Sequence, residues 1–182
     1  MSTNPYASPL APVEDTTGSD APMFFAVATW KVVLMCLVTL GLYQLYWFYE
    51  NWRLVRARDR SNILPVPRAI FGLFYCYSMF KRIRDDGKAL GLPKPPEAGA
   101  LATLWIVSSI AWRLPGPWGL LGVVSWFAVL PIQAYANRIN AQAAPAADRN
   151  ARLSWLNWIA VVIGGAFFGL VLAALISPPA EV

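Results

Sequence analysis

Three acidic side chains are the residues of this chain that come closest to a reaction centre. Asp85 and Asp86 are adjacent, and paired carboxylates can bind a metal ion or share a proton. Successive residues of a helix point about 100° apart, however, and Lys81 and Arg82 lie four positions before these aspartates. Glu50 likewise has an arginine three positions later. The spacing therefore predicts salt pairs on solvated helix faces rather than a catalytic or metal-binding site.

The remaining reactive side chains are few. The 182 residues include no histidine, which removes the commonest general base and transition-metal ligand. The two cysteines, Cys36 and Cys76, lie in separate apolar segments, a spacing that suits neither a zinc site nor a disulfide framework. The sequence contains no glycine-rich phosphate loop and no HExxH motif. We therefore predict a protein that is not an enzyme and that has no cofactor and no metal site.

Composition indicates a membrane protein. Hydrophobic residues make up 57% of the chain and charged residues only 14%, whereas about a quarter of the residues of a soluble domain are charged. A single soluble core of this size could not cover so much apolar surface, so the excess should face lipid. The predicted class is all-α: a polytopic membrane helical bundle of about four transmembrane helices and one interfacial amphipathic helix.

The apolar stretches define the predicted domain organisation. A disordered polar tail covers residues 1–22, the membrane domain covers residues 23–177, and a short tail covers residues 178–182. Eighteen helical residues reach about 27 Å, close to the thickness of the hydrocarbon layer. The predicted spans are residues 32–49, 98–112, 118–136 and 155–176. The hairpin turn between the second and third spans contains Arg113, and Pro131 should kink the third span.

Residues 68–90 form the predicted interfacial helix. Its apolar part, residues 69–80, is only about 18 Å long and has cations on both sides, so it is too short to cross. We expect it to lie at, or to dip into, the inner leaflet. Its continuation keeps Met79, Phe80, Ile83 and Leu90 near one face.

The cations predict the orientation. All of the fifteen Lys and Arg except Lys31 and Arg113 lie between Arg53 and Lys94 or in the linker 137–152, and both regions adjoin apolar stretches. Because cationic loops stay in the cytoplasm, both termini should lie outside it. The net charge of +5 then favours anionic lipid headgroups over nucleic acid as the partner. The topology-setting residues are Arg53, Arg56, Arg58, Arg60, Lys81, Arg82, Arg84 and Lys88.

Aromatic residues and small residues mark further predicted contacts. Tryptophan and tyrosine at the ends of spans are typical of membrane-interface anchors, with Trp30 and Lys31 at the outer boundary. The predicted anchors are Trp30, Tyr43, Tyr46, Trp47, Tyr49, Trp52, Trp112, Trp118 and Trp155. Small residues at four-residue spacing allow close helix packing, within the bundle or between this chain and a second copy or another membrane protein. The predicted packing residues are Gly41, Gly165, Gly169 and Ala173.

Residues 24–88 resemble a known bacterial family. The most specific part is a T-L-G-x-Y-x-x-Y-W-x-Y pattern, which is formed here by Thr39, Leu40, Gly41, Tyr43, Tyr46, Trp47 and Tyr49. This region is similar to a family of presumed integral membrane proteins known as domain of unknown function 4234. The resemblance implies a multi-pass protein of the bacterial inner membrane. It implies no activity and no catalytic residues.

The function that these features favour is a non-enzymatic one: an accessory or assembly component acting through helix contacts and its basic face. One alternative is a small-solute transporter or channel component, with a water-filled path lined by the polar residues Ser108, Ser109, Ser125 and Gln133. A second alternative is a lipid-modifying membrane enzyme that uses acids near the inner interface, such as Glu50 or Asp85.

Overall fold

A computed structural model describes residues 21–176 of the chain, and every regular element in that part is a helix. The predicted all-α class is therefore confirmed. The predicted tails lie outside the described residues, except for Ala21 and Pro22. The helices are α1 (Thr29–Val38), α2 (Tyr43–Asp59), α3 (Pro65–Ile70), α4 (Gly72–Ala89), α5 (Ala98–Ala111), a 3-10 helix (Gly116–Val123), α6 (Val124–Ala128), α7 (Leu130–Ala143) and α8 (Trp155–Ile176).

A turn divides the first predicted span into two helices. Leu40 and Gly41 have φ angles of 51° and 87°, and the Gly41 N–H donates to the carbonyl oxygen of Cys36 at 2.7 Å. Glycine adopts this left-handed conformation at little cost, and a Cβ on Gly41 would lie 2.8 Å from Nε1 of Trp126. Residues 32–49 are therefore not one continuous helix. Helix α1, with 10 residues, reaches only about 15 Å.

The start of α1 lies at the same end of the bundle as the C-terminal half of α2. The Phe24 N–H donates to Oδ1 of Asn140 at 3.0 Å, and the Arg58 guanidinium lies 5.2 Å from the centre of the Phe24 ring. Lys31 Nζ donates to Oδ1 of Asn150 at 2.8 Å and to the carbonyl oxygen of Arg152 at 2.7 Å. We call this end, formed by Phe24, Lys31, Arg58, Asn140 and Asn150, the basic end.

These contacts contradict part of the predicted orientation. Lys31 and the linker 137–152 were expected on opposite faces, yet they are hydrogen-bonded to each other. The prediction that the start of the first span, with Trp30 and Lys31, lies on the face opposite the linker is therefore wrong. The physical reason is the turn at Leu40 and Gly41, which reverses the chain so that α1 leads away from the basic end and α2 returns to it.

Helices α3 and α4 occupy the region of the predicted interfacial helix. The helix is interrupted at Phe71, and Gly91, with a φ of 71°, follows its end. Met79, Phe80 and Ile83 share a buried face, as predicted. That face packs inside the bundle, where the Phe80 ring stacks on Phe48 with centroids 6.3 Å apart. The helix is therefore part of the packed bundle rather than a separate element lying beside it.

Helices α5, α6 and α7 form the predicted hairpin. The interruption at Val129 lies just before Pro131, where the kink was expected. Within residues 21–170, the stretch Trp118–Ala143 is the one helical path that is long and apolar enough to cross a membrane, and half of its most apolar window is buried in the protein. Thr29–Val38, Ala98–Ala111 and Trp155–Leu170 are apolar but shorter.

Helix α8 has the same bounds as the last predicted span. It packs against α1, where Gly164 lies so close to Val38 that a Cβ would overlap the Val38 carbonyl. Between Trp155 and Leu170 its other sides are uncovered. The exposed apolar residues of α8 are Trp155, Leu156, Trp158, Ile159, Val162, Ile163, Phe167 and Leu170.

Candidate functional site

A cluster of buried amide side chains fastens the extended segment before α1 to helix α7. Gln133, Asn137 and Asn140 are spaced i, i+4 and i+7, which places them on one face of α7. Asn140 accepts from the Phe24 N–H and donates to its carbonyl oxygen, at 3.0 and 2.8 Å. Asn137 Nδ2 donates to the Val27 carbonyl oxygen at 2.9 Å. The segment is thus held through its backbone.

Two residues of α2 and the side chain of Gln133 complete this amide cluster. The Trp47 indole N–H donates to Oε1 of Gln133 at 2.5 Å, while Gln133 Nε2 donates to the carbonyl oxygens of Phe25 and Val27. Asn51 accepts from the Phe25 N–H at 3.1 Å and donates to the Trp47 carbonyl oxygen. Gln133 and Asn51 are completely buried. Their polar atoms satisfy backbone groups, so the cluster has a structural role.

The four residues of the predicted solute path are not brought together. Ser108 donates to the Leu104 carbonyl oxygen at 2.6 Å and belongs to the α5 helix face that is buried. Ser109 and Ser125 both line a cleft of about 270 Å³. Gln133 lies outside that cleft, in the amide cluster. The same cleft is also lined by Gly41, in the turn between α1 and α2, and by Gly72, where α4 begins after the break from α3.

Every acidic residue singled out from the sequence forms an ion pair. The predicted pair of Glu50 with Arg53 is confirmed at 2.7 Å. The predicted pair of Arg82 with Asp86 is confirmed at 3.6 Å. Asp85, by contrast, pairs with Arg84 at 2.9 Å rather than with Lys81. A carboxylate already held by an arginine is a poor nucleophile or base, so this arrangement does not favour the lipid-modifying alternative.

A four-residue ion cluster joins α2 to α4 at the basic end. Arg58 bonds to Asp86 at 2.6 Å, and Arg82 bonds to Asp59. Partial burial opposes ionisation of Asp59, but its bonds to Arg58 and Arg82 outweigh this and lower the pKa of Asp59 below its usual value. The cluster therefore stabilises the contact between the two helices at neutral pH.

The remaining topology-setting cations are exposed and form no ion pair within the described residues. They are Arg56, Arg60, Lys81 and Lys88. Two arginines of α2, Arg53 and Arg56, and Arg60, which follows its last residue, line one open groove of about 520 Å³ together with Ser61 and Asn62. No acidic side chain belongs to that lining, so the groove can accept an anion.

A second cleft at the basic end has mixed charge. It measures about 400 Å³ and lies between the start of α1, the end of α7 and the linker before α8. Its charged residues are Arg138, Arg149 and Asp148, and small alanines make up much of its wall. The carboxylate of Asp148 opposes the two arginines, so this cleft is less suited to an anion than the groove on α2.

The predicted interface anchors fall into two groups. Tyr43, Trp47 and Trp52 are buried among other side chains, so the prediction that they face the membrane interface is wrong for these three. Trp47, for example, packs edge-on against Phe48 with centroids 5.0 Å apart. The sequence pattern cannot tell a lipid-facing aromatic residue from a buried one. Tyr49 is half-buried, and the exposed members are Trp30, Tyr46, Trp112, Trp118 and Trp155.

The predicted packing glycines also divide. Gly41 does make a close contact, with Trp126, but in a turn rather than on a helix face. Gly164, which the prediction omitted, carries the contact between α8 and α1. A Cβ on Gly165 or Gly169 would meet nothing within 4 Å, so these two do not pack inside the described bundle. The side chain of Ala173 lies outside the described residues.

The amide cluster is the feature that sequence reasoning missed. The signal was the i, i+4, i+7 spacing of Gln133, Asn137 and Asn140 on one helix, while nothing in the sequence identified the backbone that they bind.

Among residues 21–176, no three His, Cys, Asp or Glu side chains lie close enough to hold a metal ion. No family model, curated protein or solved structure matches the chain.

Proposed function

We propose that the protein is a multi-pass protein of the bacterial inner membrane without enzymatic activity, and that it serves as an accessory or assembly component. It acts through helix contacts, and its basic end faces the cytoplasm and anionic headgroups. The relation to the family of domain of unknown function 4234 belongs to this proposal.

The observation that carries the proposal is the uncovered apolar surface of α8. Trp155 is 70% exposed, Val162 is 66% exposed and Leu170 is 72% exposed, although a soluble protein would bury such side chains. A helix that is apolar on all sides is typical of a membrane span, and 22 residues reach about 33 Å. Two further crossings are α5 and the stretch Trp118–Ala143.

In the proposed topology, α1–α2 and α3–α4 enter the membrane and return to the cytoplasmic side. Irregular backbone at membrane depth is tolerated where protein buries it, and Gly41 and Gly72 both lie against aromatic side chains. The N-terminal segment then starts in the cytoplasm, and three crossings place the end of α8 outside. Reporter fusions after residues 22, 60, 115 and 145 should report cytoplasm, cytoplasm, outside and cytoplasm. A reporter active outside after residue 22 would overturn this topology.

The accessory role predicts a stable partner in the membrane. The uncovered face of α8 is available to a second copy or to another membrane protein. The test is purification of the tagged full chain in mild detergent, followed by measurement of its mass and identification of co-purifying proteins. A complex that survives in the wild type and is lost in Gly165→Leu supports the role, because Gly165 has open space around it. A monomer with no partner contradicts it.

A second candidate function is transport of a small solute. The observation that favours it is the 270 Å³ cleft. Ser109 and Ser125 line this cleft together with Gly41 and Gly72, which mark the breaks between α1 and α2 and between α3 and α4. Flux of small solutes into proteoliposomes tests it. Equal flux with and without the protein contradicts it, whereas flux that falls in Ser109→Leu supports it.

A further inference from the structure

One face of α2, exposed except at the half-buried Tyr49, changes from apolar to cationic along its length. Leu42 and Leu45 are 67% and 44% exposed, Tyr46 is 47% exposed, and the exposed arginines follow. Steps of three and four residues keep Leu42, Leu45, Tyr49, Arg53 and Arg56 on one side of the helix. Tyr46 lies beside Leu45 on this face, and Arg60 follows directly after the last residue of α2.

The length of this face corresponds to half of a bilayer. The eleven steps from Leu45 to Arg56 correspond to a rise of about 16 Å along the helix. Half of the hydrocarbon layer is about 15 Å thick. A lipid molecule lying along the face with its phosphate at the arginines would therefore have its acyl chain beside the leucines.

The cationic end of the face has two arginines that the protein leaves uncompensated. Glu50 compensates Arg53 through an ion pair, whereas Arg56 and Arg60 form none within the part of the chain that the structure describes. The neighbouring Arg58 is directed elsewhere, toward Asp59 and Asp86. The positive charges of Arg56 and Arg60 are therefore available to an external anion.

The end of α2 shapes this charge into a groove. Arg60 adopts a left-handed conformation with a φ of 48°, and the backbone N–H of Ser61 donates to the Arg56 carbonyl oxygen at 3.3 Å. The chain thus turns back beside the arginines. Ser61 lines the groove, although its hydroxyl oxygen is buried and makes no hydrogen bond in the described structure.

We propose that this groove binds the phosphate of an anionic membrane phospholipid through Arg56 and Arg60, with one acyl chain along Leu45 and Leu42. Arginine suits this ligand because its planar guanidinium forms bidentate hydrogen bonds with phosphate oxygens. The inference rests on the proposed membrane location and makes it specific: it assigns one lipid site in place of a diffuse attraction.

The test compares two variants that remove the same charge. Arg56→Gln/Arg60→Gln removes the proposed ligands, and Lys88→Gln/Lys94→Gln removes two other exposed cations. The full chain is purified in mild detergent and titrated with fluorescent phosphatidylglycerol. Loss of two contacting cations should weaken binding about tenfold or more in the arginine variant, with a clearly smaller loss in the lysine variant. Equal losses in the two variants would overturn the site in favour of general electrostatics.

Two further arms separate the lipid from its headgroup and from the proposed membrane location. Inorganic phosphate and glycerophosphate at millimolar concentration should fail to displace the lipid, and displacement by either would overturn the lipid assignment. Leu42→Ser/Leu45→Ser should weaken phosphatidylglycerol binding without changing the net charge, and unchanged binding would overturn the acyl-chain path.

Extraction of cell membranes with alkaline carbonate tests the proposed membrane location itself. A soluble protein there would refute the proposed function, whereas an embedded protein without the arginine effect refutes only this site.

Discussion

Lys31 Nζ donates a hydrogen bond to Oδ1 of Asn150 at 2.8 Å, across 119 positions of sequence. This contact, together with the one from Lys31 Nζ to the Arg152 carbonyl oxygen, ties the start of α1 to the linker before α8. A cation that the apolar pattern places at the far boundary of a span is thus buried at the basic end. Because of this contact, α1 begins at the basic end and runs away from it.

The first prediction concerns the side of the membrane on which Trp30 lies. Trp30 is 51% exposed, so Trp30→Cys offers a thiol to reagents. Because the basic end is proposed to face the cytoplasm, an impermeant maleimide should label this variant in inverted vesicles and not in intact cells. Leu114→Cys, in the hairpin turn, should show the opposite pattern. The native Cys36 and Cys76 are completely buried and should remain unlabelled. Labelling of Trp30→Cys in intact cells would refute the returning α1–α2 hairpin.

The second prediction concerns the amide cluster. Gln133→Leu removes the acceptor of the Trp47 indole and the donor to two buried carbonyl oxygens. Leaving these groups unsatisfied should cost about 2 kcal/mol or more in free energy of unfolding. Thermal unfolding in mild detergent measures it. Gln142→Leu, at an exposed position of the same helix, is the control and should change the midpoint little. Similar midpoints for the two variants would contradict a structural role for the cluster.

The third prediction separates two adjacent glycines of α8. Gly164→Ala should lower stability by about 1 to 3 kcal/mol, because its Cβ would overlap the Val38 carbonyl and push α8 away from α1. Gly165→Ala meets nothing within 4 Å and should leave stability unchanged or slightly raised. The measurement is again the unfolding midpoint in detergent. Loss of stability in Gly165→Ala alone would show that α8 packs with a different face.

The fourth prediction is a pH dependence from Asp59. Arg58 and Arg82 lower its pKa in the folded protein, so the stabilisation is complete above the ordinary aspartate value, about 4. It is lost as the pH falls through the lower folded value, because the unfolded chain binds the proton first. The unfolding midpoint should therefore drop as the pH falls below about 4. Asp59→Asn should flatten that drop, whereas Asp148→Asn, an exposed aspartate, should not. An unchanged drop in Asp59→Asn would exclude this ion cluster as its source.

Local features were predictable from the sequence, and non-local ones were not. The bounds of α5 and α8 follow from apolar runs ended by turn residues, and the pair of Glu50 with Arg53 follows from their spacing on one helix. The amide spacing on α7 is also visible, but its ligand, the backbone of Phe24–Val27, is more than a hundred positions away. No local rule connects the two segments.

The sequence by itself determined that the chain is helical, that it is rich in apolar and poor in charged residues, and that its cations collect beside two apolar regions. Only the tertiary structure decided which way α1 runs, that Trp47 lies in the core, and that Gly164 rather than Gly165 meets a neighbouring helix. The physical reason is that composition and periodicity act between near neighbours. Burial of a particular face depends on contacts that exist only after distant helices have packed.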